Sequence, residues 1–567
     1  MNVRRLKMWR DQHRSMMNSA IVAVKSRQPY SPFSDELTNY EHAQIEQGEI
    51  RFKRLLDSKF QIDRRSSADL GEKRVGKETS PYGFPLGISY RAEHFDSLVK
   101  KANRSMSKWE HLSVELRSAL LCEAITRIHA DTFLFSQVGM HTSGHGFFMG
   151  FHANAVHAQA RALESVARIC QITAELTQQV DSELSVGDAQ PQRILRNFQP
   201  KPAGLSLVYS GRVAPTWGAY PCVFASLAAG CPVIVIPHSE AILPLALTVK
   251  AIKSVCAEAG VSADIINLFC SDNDADYRKA AQHRAVKLID YMGKSEFGKW
   301  LRQHAWHARV MTQQSAQTSV FVHSTDNYDG MIENLAFGLC SYSAQLCTSP
   351  QNIYVLKDGI QLPDKIITVD VFQRDLVARI DQLLQRFQPP RDLLGVIIGK
   401  QTVADIRQCE GARFAKVLRH CELLQDPEFA DAQVLTPSVI AVQPGFSSSL
   451  DYYASEVAGP VSFVIVKDDL KTVARELSYV GQEFGVLGLG LYAIDANVEK
   501  AMKCVSADIG ALLSVNFCGN YFISQCSVFT DIHGGAVNSS SDVTYGAPGF
   551  YHSRLRMTED RTVVCTP

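Results

Sequence analysis

Cys347 closes the short segment Gln345-Leu346-Cys347 and is followed at once by the apolar run Gln351 to Val355. A thiolate there can add to an aldehyde, giving a thiohemiacetal that loses hydride to become a thioester. The competing reading is one more inert buried thiol among 14 cysteines, which is how Cys340, with no such turn beside it, is read. Gly293 and Gly298 flank Lys294-Ser295-Glu296-Phe297 after an expected strand, a spacing that lets the backbone and a helix start approach a pyrophosphate, or merely makes a tight strand-to-helix turn. Glu456, in Glu456-Val457-Ala458-Gly459-Pro460-Val461, is either a ligand-binding carboxylate or a solvated loop residue. His141 and His145 stand four apart, as two metal ligands on a helix would, but no second pair accompanies them and Gly144 and Gly146 oppose a helix. No metal site is expected.

These residues need elements to hold them. Short β-rich runs (Leu205 to Tyr209, Val233 to Pro237, Ile265 to Cys270, Val286 to Tyr291) alternate with helical segments such as Ile242 to Ala259, which predicts a parallel sheet faced by helices. Such a sheet binds nucleotides at the carboxyl ends of its strands. A second α/β block has expected strands at Ser319 to Val322, Gln351 to Val355, Val461 to Val466 and Leu489 to Ile494. Before both lie a polar, largely helical stretch of about ninety residues, with a charged linker between Asp63 and Glu78, and a helix-rich block from His94 to Gln179. The segment 181–203 reads as a projecting hairpin.

Size and charge narrow the classes. A chain of 567 residues exceeds one hydrophobic core, and 46% hydrophobic with 20% charged residues is a folded composition. Fifty-eight basic residues balance 58 acidic ones, so nothing marks a nucleic-acid partner. The cysteines form no CxxC pair and point to a reducing, cytoplasmic setting. The arginine-rich start has no apolar run behind it and reads as an exposed helix. The uncharged run Val213 to Pro237 is interrupted by Pro215, Pro221, Gly230 and Pro232, so it reads as turn, buried helix and buried strand rather than a membrane span.

Four segments stand in a telling order: Gly211 to Pro221 with Pro232 to His238, Tyr291 to Gly298, Gln345-Leu346-Cys347, and Glu456 to Val461. Together they resemble the aldehyde dehydrogenase superfamily. Ser80-Pro81-Tyr82-Gly83, Met140 to Gly144, Thr348 to Asn352 and Phe529 to Gly534 narrow the resemblance to the phenylacetate-degradation PaaN branch. The resemblance implies an α/β protein in four parts: an amino-terminal helical extension (1–93), a Rossmann-like cofactor domain (94–312), a catalytic domain carrying Cys347 (313–528) and a carboxy-terminal oligomerisation segment (529–567). It also implies a homodimer or homotetramer and NAD or NADP held by Trp217, Ile236, Pro237, Gly293, Ser295, Gly298 and Glu456.

The chain departs from that pattern at three positions. The asparagine that helps hold the oxyanion aligns with Gly218, and losing one such donor costs about 3 kcal/mol. The lysine that contacts the adenosine ribose aligns with Ile236, leaving a cofactor hydroxyl unpaired at a cost of about 1–3 kcal/mol. The glutamate that activates water aligns with Gln313, a loss of about 10²- to 10⁴-fold in general-base catalysis. The nucleophile remains. The expectation is weakened or lost dinucleotide binding and acyl transfer from Cys347 to coenzyme A or a carrier-protein thiol. The substrate would be a small or thioester-tethered acyl compound or aldehyde. The alternatives are an NAD(P)-dependent acylating dehydrogenase and a non-catalytic oligomeric scaffold.

Overall fold

The computed structural model describes residues 2–63, 73–176, 178–185, 187, 191–443, 449–520, 538–542 and 544–564. Five strands form one fully parallel sheet: β1 (Leu205–Tyr209), β2 (Val233–Ile236), β3 (Ile266–Leu268), β4 (Val286–Gly293) and β5 (Arg309–Gln314). Their order, β3-β2-β1-β4-β5, is that of the doubly wound dinucleotide-binding sheet without its sixth strand. Alternation along the strands divides the side chains between two cores. Val208, Val233 and Val235 join the helices Pro215–Ala229 and Leu243–Glu258, while Leu207, Tyr209, Ile234 and Ile236 pack beneath the helices Asp274–Gln282 and Ser295–His304. The predicted strands therefore form, within one to three residues at their ends.

Seven strands make the second sheet: β6 (Gln317–Val322), β7 (Pro350–Leu356), β8 (Ala415–Arg419), β9 (Ser438–Val442), β10 (Val461–Lys467), β11 (Val486–Tyr492) and β12 (Leu512–Val515), ordered β8-β9-β10-β7-β6-β11-β12. Only the edge pair β8 and β9 is antiparallel. Just Ser315 and Ala316 separate β5 from β6, so the chain passes from one sheet into the other at the point where Cys347 and Glu456 also arrive.

The first ninety residues are bound to this frame. Helix Val3–Ser26 buries Leu6, Trp9, Ala20 and Ala23 against helices Val114–Ala130 and His157–Glu175. The Glu78 carboxylate accepts from the backbone N–H groups of Ile242 (2.6 Å) and Leu243 (3.0 Å), which are open donors at the start of helix Leu243–Glu258. The helix Thr132–Ser143 ends at Gly144 in the left-handed conformation (φ 70°). His141 stacks on Phe52 at 4.6 Å and meets the Ser80 hydroxyl at 3.0 Å, and its burial lowers its pKa to about 3. His145 instead faces the Val213 carbonyl at 2.6 Å, and no metal-binding cluster exists among the described residues. The two histidines are structural.

The expected hairpin is present. Gln179–Leu184 pairs antiparallel with Gln192–Pro202, whose other edge takes the carboxy-terminal strand Leu555–Val563. Arg554, just before that strand, is completely buried and makes two 2.7 Å bonds to Asp290 on β4. No described helix is long and apolar enough to cross a membrane. The segment Phe529 to Gly534 lies outside the described residues.

Candidate active site

Cys347 follows a backbone turn that side chains seldom tolerate. Tyr342, Ser343 and Ala344 have φ of 53°, 46° and 48°, three consecutive left-handed residues without a glycine. Each such conformation costs about 1–2 kcal/mol and persists only where the surroundings over-determine it. Here they do. The Tyr342 hydroxyl donates to the Ser143 carbonyl and the Ser343 hydroxyl donates to that of Leu435 at 2.8 Å. The Gln345 amide donates to the Val396 carbonyl (3.1 Å) and accepts from the Ile398 N–H (2.9 Å). Finally, the Thr318 hydroxyl of β6 donates to the Cys347 carbonyl at 2.9 Å. The glutamine of the Gln-Leu-Cys segment is thus the staple of the turn.

Cys347 is half-buried and packs with Trp217, Ala316, Leu487 and Leu512. Cys340, seven residues earlier, is fully buried, and desolvation pushes its thiol up to about 12. Cys340 is thus sealed in the core, whereas Cys347 is only half-buried.

Cys347 shares a cleft of about 10 Å3, room for the centre of one water-sized sphere, with Gln317, Ser349 and Glu456. Gln351 holds the Glu456 segment over it. Its amide oxygen accepts from the Val457 N–H at 2.7 Å and its amide nitrogen donates to the Ser455 carbonyl at 2.9 Å. Burial raises the Glu456 carboxyl to a pKa of about 7, outweighing the nearby Ser315 hydroxyl and Ala316 N–H, which favour its charged form. Glu456 is half-buried and lines the cleft beside Cys347. Gln317 Nε2 and Ser349 Oγ are buried and have no hydrogen-bond partner.

The other predicted residues lie outside this cleft lining. Gln313, at the end of β5, is 1% exposed with both amide atoms unpaired. Gly218 is buried in helix Pro215–Ala229, and a Cβ built on it would lie 2.5 Å from Met292 Sδ. Its neighbour Trp217 carries the Arg161 guanidinium 3.8 Å above its ring. Ile236 turns into the apolar core, 2% exposed, and Pro237 behind it is buried too. At Gly293 the space a Cβ would need holds the Tyr291 hydroxyl, which donates to the Lys294 carbonyl at 2.8 Å, and at Gly298 it holds the Gln314 side chain. Helix Ser295–His304 begins at Lys294 with no side-chain cap on its first N–H groups.

Sequence reasoning missed Met292, Gln317 and Ser349. One signal for Gln317 was available: Gln313 to Ser319 is an almost unbroken polar run leading into the apolar Val320 to Val322, and such a run within a buried sheet needs a purpose.

The profile of the aldehyde dehydrogenase family matches residues 88–505. A curated relative, the NADP-dependent glyceraldehyde-3-phosphate dehydrogenase of Streptococcus equinus, is 22% identical over 278 residues, 48% of this chain, and the match spans about half (55%) of that relative's length. Among solved structures, an NAD-dependent aldehyde dehydrogenase from Burkholderia multivorans superposes with a TM-score of 0.92 at 31% identity, covering 99% of both chains. The NADP-dependent glyceraldehyde-3-phosphate dehydrogenase from Bacillus halodurans C-125, complexed with NADP, has a TM-score of 0.68 at 17% identity over 87% of this chain and 96% of its own. That second likeness is one of fold.

Proposed function

Since the chain belongs to the aldehyde dehydrogenase family, we propose that it is an enzyme that carries an acyl group as a thioester on Cys347 and passes it to an acceptor. The observation that carries this reading is the strained, fully stapled turn of Tyr342 to Ala344, which sets Cys347 at the lip of a cleft while its neighbour Cys340 is sealed in the core. Thiolate addition to an acyl carbon needs a nucleophile held in place and an acceptor path beside it.

Gln313 supports acyl transfer over ordinary aldehyde oxidation to a free acid. Its amide cannot take a proton at neutral pH, so the family's route to activated water is closed, which favours a thiol acceptor such as coenzyme A or a carrier protein. The substrate class is a small or thioester-tethered acyl compound or aldehyde, with a ring-derived group suggested by the PaaN-like segments alone. An assembly of two or four copies through the hairpin 181–203 fits the three-stranded sheet described above.

The residues do not fit a dinucleotide in the family manner. Ile236 is enclosed in the core where the family pattern puts a ribose ligand. One feature favours a second reading, NAD(P)-linked oxidation: the uncapped helix start at Ser295 beside the exposed Lys294 suits a diphosphate.

Two measurements test these readings. Intact-mass analysis after incubation with an acyl thioester should show one acyl adduct, absent from Cys347→Ala; an adduct that persists in the variant refutes the assignment. Titration with NAD+ and NADP+ separates the second reading, because micromolar binding would restore it over acyl transfer.

A further inference from the structure

Glu456 holds the family position of a cofactor-ribose ligand, yet its surroundings are those of a base. It shares its cleft with the nucleophile, and Cys347 is the other titratable side chain in the lining. Two further lining residues each hold a buried polar atom with nothing to bond: Gln317 Nε2, on a residue 1% exposed, and Ser349 Oγ, on a residue 5% exposed. Buried polar atoms without partners are rare in folded proteins and call for a ligand atom between them. The cleft these residues line has room for about one water-sized group.

We propose that Glu456 is the base of this site, deprotonating an acceptor held between Gln317, Ser349 and the Cys347 thioester. The role left vacant by Gln313, which lies outside the cleft lining, would thereby pass to Glu456. The inference rests on the acyl-thioester reading of Cys347. The acceptor is one X–H group, the O–H of water or the S–H of a thiol. As its oxygen or sulfur bonds to the acyl carbon, its proton passes to the Glu456 carboxylate. The tetrahedral intermediate then collapses, the C–S bond breaks, and its electron pair returns to Cys347 sulfur, which recovers the proton from Glu456. The net change is acyl transfer from sulfur to acceptor, with no oxidation or reduction. Burial supports the assignment, because a carboxyl with a pKa near 7 is both partly ionised at neutral pH and a far stronger base than an ordinary glutamate.

The test is burst kinetics with p-nitrophenyl acetate. The burst counts acylated Cys347 and the steady state reports its deacylation. The intact protein should show a burst, then turnover that rises with pH through about 7 as Glu456 loses its proton. Glu456→Gln should keep the burst amplitude, lose about 10²- to 10⁴-fold in steady-state rate, and lose the limb near pH 7. Glu456→Asp, which keeps a carboxylate, should retain the limb at reduced rate, and this separates proton transfer from a packing role. Repeating the assay with coenzyme A added distinguishes the acceptors: a thiol-dependent gain that vanishes in Glu456→Gln assigns the base to thiol, and no gain assigns it to water. Turnover and pH limb unchanged in Glu456→Gln overturn the proposal. A burst that survives Cys347→Ala instead refutes the underlying thioester reading, at the acylation step.

Discussion

Gly218→Asn would place a side-chain amide at the position that the family resemblance reads as the oxyanion asparagine, and the structure says this fails alone. A Cβ at that position lies 2.5 Å from Met292 Sδ and 3.0 Å from its Cε. The thioether would have to leave its place, an overpacking strain of about 1–3 kcal/mol. Helix propensity offsets only a few tenths of a kcal/mol, about the difference between asparagine and glycine in a helix interior. The single variant should therefore be less stable and no faster in acylation. Combining it with Met292→Ala removes the atoms in the way, so the double-mutant cycle should show a coupling of about 1–3 kcal/mol in stability. The pre-steady-state acylation rate with p-nitrophenyl acetate should rise toward the 10²- to 10³-fold, about 3–4 kcal/mol, that one oxyanion donor is worth. Denaturant unfolding and burst kinetics on the four proteins of the cycle measure both quantities. If Gly218→Asn alone is as stable as the parent and already faster, Met292 is not the occupant of that space. If the double variant is stable but no faster, position 218 does not face the reacting oxygen.

Two further outcomes follow from buried polar groups. Gln313→Met keeps the volume and removes two unpaired amide atoms, so it should raise the denaturation midpoint, by about 1–3 kcal/mol per unsatisfied group relieved, without lowering the burst; a loss of burst would place Gln313 in the chemistry. Arg554→Met strands the buried Asp290 carboxylate and should cost about 3–5 kcal/mol, most of it recovered on adding Asp290→Leu, as thermal or denaturant unfolding would show.

The parts of the molecule legible in the sequence are those fixed by near neighbours. Val233–Ile236 announces itself as a buried strand because its apolar residues are continuous and follow Pro232, and Val286–Gly293, though broken by Lys287 and Asp290, is bounded by the Gly293 turn. The Gln345 staple was visible as a motif, although its partners Val396 and Ile398 lie some fifty residues away. The carboxy-terminal strand Leu555–Val563 was not legible: with charges at Arg556, Glu559, Asp560 and Arg561 it has no apolar alternation, and it forms because the edge of Gln192–Pro202 offers nine residues of backbone pairing.

The departures from the family show the same division more sharply. Read in sequence, Gly218, Ile236 and Gln313 are three separate losses. Read in space, Gly218 and Met292 sit together, the thioether holding the volume a side chain at 218 would need, and Ile236 joins an apolar core with Tyr209 and Phe269. Gln313 has no such partner, since its amide remains unpaired. A buried amide left unsatisfied costs stability for as long as it is kept, whereas a residue that had merely drifted out of function would be free to become apolar. Gln313, with both amide atoms unpaired, and Gln317, whose Nε2 is unpaired while its Oε1 accepts from the Ser319 hydroxyl, belong to one short polar run between the two sheets, adjoining the cleft where Glu456 has a pKa near 7. Polar groups that remain unmatched at a cleft edge are ordered for something that binds there, and that is the physical ground for reading this chain as an altered enzyme rather than a retired one.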